Sequence, residues 1–110
     1  MRRVILISAA SVLIVTGMGA GLRAATIAIE QTALRFSEKT VDVHKGDTMV
    51  FANKDDVTHN VNVINDDDDL AADLGVQKPG EDLKYTFDKA GRFKIRCAIH
   101  PRMKMIINVN

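Results

Sequence analysis

Much of the chain after its first two dozen residues alternates between apolar and polar positions. Thr40-Val41-Asp42-Val43-His44 does so cleanly, and His59-Asn60-Val61-Asn62-Val63-Ile64 repeats the pattern with Val61 and Val63 on one face. Asp82-Leu83-Lys84-Tyr85-Thr86-Phe87 and Arg92-Phe93-Lys94-Ile95-Arg96-Cys97 carry the same period of two. Successive side chains of a strand point to opposite faces, so this period is that of a half-buried β-strand. Weaker versions occur at Thr26–Ile29 and Leu34–Phe36, Thr48–Asn53 is mostly apolar, and Ile106–Val109 closes the pattern. Turn formers separate the segments, as in Lys45-Gly46-Asp47 and Asp88-Lys89-Ala90-Gly91. Short strands at this spacing predict an all-β domain, a sandwich or barrel of about seven or eight strands.

One stretch, Asn65 to Lys78, does not alternate. It holds Asp66-Asp67-Asp68-Asp69, then Leu70-Ala71-Ala72-Asp73-Leu74-Gly75. The reading here is a surface loop with one or two helical turns stopped at Gly75. Four consecutive aspartates cannot enter a core, so the segment is either simply solvated or an acidic docking patch for a cationic partner. It is not an EF-hand, because the alternating ligand positions, the central glycine and the closing glutamate are missing.

The N-terminus has a different composition. Met1-Arg2-Arg3 is followed by a nearly unbroken apolar run from Val4 to Val15 and then by small residues at Gly17, Gly19, Ala20, Gly21, Ala24 and Ala25. This is the pattern of a secretory signal peptide over residues 1–25, cleaved after Ala24 or Ala25, leaving one domain over 26–110. Its apolar run is short for a membrane span, so no stable membrane association is expected after cleavage. The whole chain has a formal charge of +1, but all 14 acidic residues follow the leader, which takes Arg2, Arg3 and Arg23 with it. The mature domain is therefore net acidic and has no basic stripe to neutralise phosphates, which argues against nucleic acid as a partner.

Candidate chemistry is concentrated between Cys97 and Met105. These nine positions contain the only cysteine of the 110-residue chain, together with His100, Met103 and Met105. A lone cysteine excludes an internal disulfide. A thiol, an imidazole and a thioether on one short loop form a soft ligand set suited to copper, and Cys with two His and a distant axial thioether is the arrangement of a blue-copper electron-transfer centre. The second imidazole must come from His44 or His59. His59 opens a strand, where loops gather, and Asn60 beside it can hydrogen-bond to the cysteine loop. His44 lies on the polar face of its strand and reads as solvated. A cysteine–histidine hydrolase is disfavoured, since nothing supplies an oxyanion hole or a substrate cleft.

These residues bring out a family resemblance. Val43-His44-Lys45-Gly46-Asp47-Thr48, Phe51-Ala52-Asn53, Thr58-His59-Asn60-Val61, Pro79-Gly80-Glu81, Tyr85-Thr86-Phe87, Ala90-Gly91 and Cys97-x-x-His100-Pro101-x-Met103 occur in one order along nearly the whole mature chain. In this the chain resembles the small blue copper proteins, the cupredoxins, of the plastocyanin, pseudoazurin and above all amicyanin kind. The resemblance implies a Greek-key β-sandwich and one type 1 copper held by His59, Cys97, His100 and a methionine. Amicyanin-like loops place that methionine three residues after the histidine, at Met103; pseudoazurin-like loops place it five after, at Met105. His100-Pro101 and the short tail favour Met103, with Met105 as core filler.

The implied function is that of a soluble, monomeric, periplasmic carrier of single electrons between redox proteins and not an enzyme. By the resemblance to amicyanin, its donor is a periplasmic dehydrogenase and its acceptor a c-type cytochrome. A copper-delivery or storage protein of the same fold is the alternative, and it would need labile rather than caged metal. Several positions depart from the family pattern: Ala98-Ile99 replaces a small-polar-then-proline pair, Arg102 an aromatic and Met105 a frequent glycine, while Arg96 precedes the cysteine. They leave the ligand set intact, and Arg102 is the residue expected to mark this chain's partner.

Overall fold

The computed structural model describes residues 24–110; most of the leader expected over 1–25 lies outside the described residues. Nine strands run in chain order: β1 (Thr26–Thr32), β2 (Arg35–Phe36), β3 (Thr40–Val43), β4 (Thr48–Asn53), β5 (His59–Ile64), β6 (Leu70–Gln77), β7 (Asp82–Thr86), β8 (Gly91–Arg96) and β9 (Lys104–Val109). They form a four-stranded sheet in the order β2-β1-β4-β7 and a five-stranded sheet in the order β3-β9-β8-β5-β6. Sequence neighbours often fall in different sheets, the connectivity of a Greek-key sandwich. Two pairs, β1 with β4 and β3 with β9, are parallel.

The alternation read from the sequence is the alternation of burial. On β4 the pattern places Met49, Phe51 and Asn53 inside, and on β9 it places Met105, Ile107 and Val109 inside. Ile27, Ile29, Met49 and Phe51 of one sheet share a core with Val61, Val63, Ile95, Met105 and Ile107 of the other. Phe36 meets Phe51 edge-on, with ring centroids 6.2 Å apart. Each fully buried side chain of this kind contributes about 1.5–3 kcal/mol relative to exposure.

The segment expected to be loop and helical turn forms β6 instead. It pairs antiparallel with β5 from His59↔Gln77 to Ile64↔Leu70, with register shifts on the way. The aspartate run makes the hairpin turn: the Asn65 side-chain oxygen accepts the N–H groups of Asp67 and Asp69, and Asp68 sits at φ 64°. Gly75, at φ 97°, supplies a backbone conformation that the irregular pairing needs. Leu-Ala-Ala-Asp-Leu favours a helix locally, but the open edge of β5 offers a ladder of hydrogen bonds, and pairing overrides propensity. As an edge strand with one face in water, β6 shows no clean alternation, which is why it escaped the periodicity argument.

The β1–β2 connection is also unusual. Its two residues, Ala33 and Leu34, both have positive φ, 56° and 59°. A two-residue hairpin loop of this kind is normally Asn-Gly, because a side chain in the left-handed region costs about 1–2 kcal/mol per residue. Something must hold these two residues in place.

Phe51→Ala is expected to lower the unfolding free energy by about 3–5 kcal/mol, measured by urea denaturation. Leu70→Ala, at a side chain that is 58% exposed, is expected to change it by less than about 0.5 kcal/mol.

Candidate metal centre

The site lies at the end of the sandwich where β5 begins and β8 ends. The β8–β9 hairpin pairs down to Arg96↔Lys104, and the seven residues Cys97–Met103 make its connection. Two backbone hydrogen bonds close that loop, Cys97 N–H to Met103 O at 3.2 Å and Met103 N–H to His100 O at 2.9 Å. The second defines a β-turn over His100–Met103 with Pro101 in its second position, where the fixed φ of proline fits. Cys97 and His100 thus leave a rigid hairpin end at a defined separation.

His59 reaches them from the first residue of β5. Its Nδ1 lies 3.1 Å from Nδ1 of His100 and 3.9 Å from Sγ of Cys97, and Sγ lies 3.6 Å from Nδ1 of His100. The point equidistant from the three atoms is about 2.1 Å from each, close to the length of a bond from an imidazole nitrogen to a first-row metal. Cys97 and His59 are fully buried and His100 is half-buried. The donor set therefore fits one soft cation, with His100 on the solvent side.

Asn60 bolts the two elements together. Its backbone N–H points at the cysteine sulfur at 3.4 Å, and its side-chain oxygen accepts the Ala98 N–H at 2.6 Å. An N–H directed at a thiolate stabilises the negative charge on sulfur and tunes its donor strength.

The methionines separate by position. Met105 lies within β9 opposite Ile95, one pleat below the site. Met103 precedes β9, on the same inward face, with its carbonyl on the Cys97 N–H. Both are buried. Met103 belongs to the loop that carries Cys97 and His100, and Met105 to β9, while both side chains sit in the buried core. His44 stands apart: its side chain is 80% exposed and faces Asp47. This agrees with the solvated role expected of it, although His44 lies one residue past the end of β3.

One residue near the site was not anticipated. Asp55, in the loop between β4 and β5, places Oδ2 2.7 Å from Nε2 of His59. Its carboxylate also accepts the N–H groups of Ala33 and Leu34, at 2.5 and 3.0 Å. Burial pushes the Asp55 carboxyl up. The hydrogen bond to His59 and the N–H groups of Leu34 and Ala33 outweigh this and hold its pKa below the ordinary value. The only signal in the sequence was an acid four residues before a candidate ligand, and Asp56 beside it made the choice ambiguous.

Comparisons with known proteins agree with this geometry. Residues 23–110 match a family described as copper binding proteins, plastocyanin/azurin family. The methylamine utilization protein MauL of Methylophilus methylotrophus is 31% identical over 77 residues, which are 68% of this chain and 44% of that protein. The chain thus spans less than half the length of this relative. A purple cupredoxin from Nitrosopumilus maritimus superposes with a TM-score of 0.67 at 21% identity, covering 74% of this chain and 97% of that one. A variant of amicyanin in its Cu(I) form gives a TM-score of 0.67 at 22% identity, covering 74% and 79%. At such identities the structural likeness is one of fold.

Proposed function

Because the chain belongs to the copper-binding plastocyanin/azurin family, the blue copper cupredoxins, we propose that it is a soluble carrier of single electrons between redox proteins. Its cofactor is copper, one ion per chain. The observation that carries the reading is the triangle of donor atoms, with sides of 3.1, 3.6 and 3.9 Å. His59, Cys97 and His100 would hold the copper, and the thioether of Met103 would complete the ligand set. The bound ion supplies the Cu(II)/Cu(I) couple.

The protein's part is to keep its ligands still. Two come from a hairpin loop closed by its own hydrogen bonds and the third from a strand in the same sheet, so little need move when the charge changes. His100, the half-buried member of the set, with the exposed Ile99 and Arg102 near it in the loop, would offer the electron its way to a partner. Burial of Cys97 and His59 supports a caged metal over the labile metal of a delivery protein. Partners of the amicyanin kind, a periplasmic dehydrogenase as donor and a c-type cytochrome as acceptor, fit this reading, and the name of the MauL relative points to methylamine utilization. No basic stripe invites nucleic acid, and the carrier is a monomer without a lasting membrane attachment.

Periplasmic export by the leader completes the proposal. Ala25 already belongs to the folded domain: its N–H meets the buried Asp47 at 2.9 Å and its carbonyl accepts the Thr48 N–H at 2.9 Å. Cleavage after Ala24 preserves both contacts. Mass spectrometry of the exported protein should find a chain starting at Ala25; a start at Thr26 or an intact leader would contradict this.

Cu(II) added to the protein should give an intense blue colour that bleaches reversibly on reduction. Cys97→Ser should abolish it. Met103→Gln should shift both the reduction potential and the spectrum, whereas Met105→Leu should leave them in place. A colourless, readily chelated complex would favour delivery, and a potential that moves only with Met105 would reassign the axial ligand.

A further inference from the structure

The carboxylate of Asp55 has two sets of partners that no copper chemistry would by itself bring together. On one side is Nε2 of the fully buried His59, at 2.7 Å. On the other are the backbone N–H groups of Ala33 and Leu34, the two residues that hold a hairpin turn at φ 56° and 59° without a glycine. The aspartate is itself anchored, since its N–H is held by the side-chain oxygen of Asn53 at 2.9 Å. Asn53 is buried and gives its amide hydrogens to Val57 O and Gln77 O. The Asp55 side chain is only 12% exposed.

We propose that Asp55 is a positioning residue for His59, gripped by the β1–β2 turn on one side and fixing the imidazole on the other. This rests on the copper reading above and adds to it a residue outside the ligand set. An ionised carboxylate only accepts hydrogen bonds, so Nε2 of His59 must carry the proton of the neutral ring. Nδ1 is then left bare and aimed at Cys97 and His100, the tautomer a metal needs. The negative charge held behind His59 also favours Cu(II) over Cu(I), which lowers the reduction potential relative to a neutral residue in its place. The turn supplies two N–H groups from a rigid hairpin, so the carboxylate cannot swing away from the ring.

The test separates this role from turn capping. Ala33→Asn with Leu34→Gly installs the residue pair that such a turn favours; it keeps both N–H groups and should raise the melting temperature while leaving copper affinity, spectrum and potential as in the parent. Asp55→Asn is then made in that background, where the turn no longer depends on the carboxylate. Copper affinity, measured by competition with a chelator, should fall about 10- to 100-fold, and the potential should move upward. In the metal-free protein, long-range proton–nitrogen NMR should show the His59 ring change from the Nε2–H form to a mixture of tautomers. If Asp55→Asn leaves tautomer, affinity and potential unchanged, the carboxylate is a turn cap only and the proposal is overturned. If the tautomer responds but the parent takes up no copper, the positioning role stands and the copper reading fails.

Discussion

Everything in the site depends on the contact between the start of β5 and the loop that follows β8. Asn60 makes it twice, with its N–H to the sulfur of Cys97 and its side-chain oxygen to the N–H of Ala98. One residue along, His59 presents its ring at the same point. Because both elements belong to one sheet, joined through the β5–β8 pairing of Asn62↔Arg96, the distance between histidine and cysteine is set by strand spacing. Three potential metal donor atoms are held within 3.9 Å of one another by backbone geometry.

That arrangement has an energetic consequence. Two imidazole nitrogens and a sulfur that face one another out of water present lone pairs that a single cation can share. The burial of Phe51, Ile29, Ile95 and their neighbours offsets the cost of bringing them together, and a metal that binds only the folded state adds stability that grows with the logarithm of its affinity. A domain of this size, with a core of aliphatic side chains, methionines and phenylalanines and no tryptophan, benefits from such a staple.

Legibility followed the physics of each region. Strands with one face in the core wrote their period into the sequence, so β3, β5, β7 and β8 could be read directly, and Cys97 and His100 announced themselves by chemistry and spacing. The choice of His59 over His44 followed from strand position, and the structure places His59, 0% exposed, beside Cys97 and His100 while His44 is 80% exposed. β6 was missed because an edge strand needs its partner's open hydrogen bonds more than a pattern of its own, and Leu70–Leu74 reads as helix when taken alone. Asp55 was missed for a different reason: its partners are two backbone N–H groups some twenty residues away, and no side-chain pattern encodes them. Arg102, expected to mark the partner, lies exposed two residues after His100.

The central claim is that the fold prepares the ligand triangle before the metal arrives and keeps it through the change of charge. High-resolution structures of the metal-free, Cu(I) and Cu(II) protein test it most directly. The account predicts that the Nδ1–Nδ1 and Sγ–Nδ1 separations stay near 3.1, 3.6 and 3.9 Å in all three, with the Cys97–Met103 loop in one conformation. A metal-free form in which His59 turns away from Cys97, or a loop that refolds on loading, would contradict it.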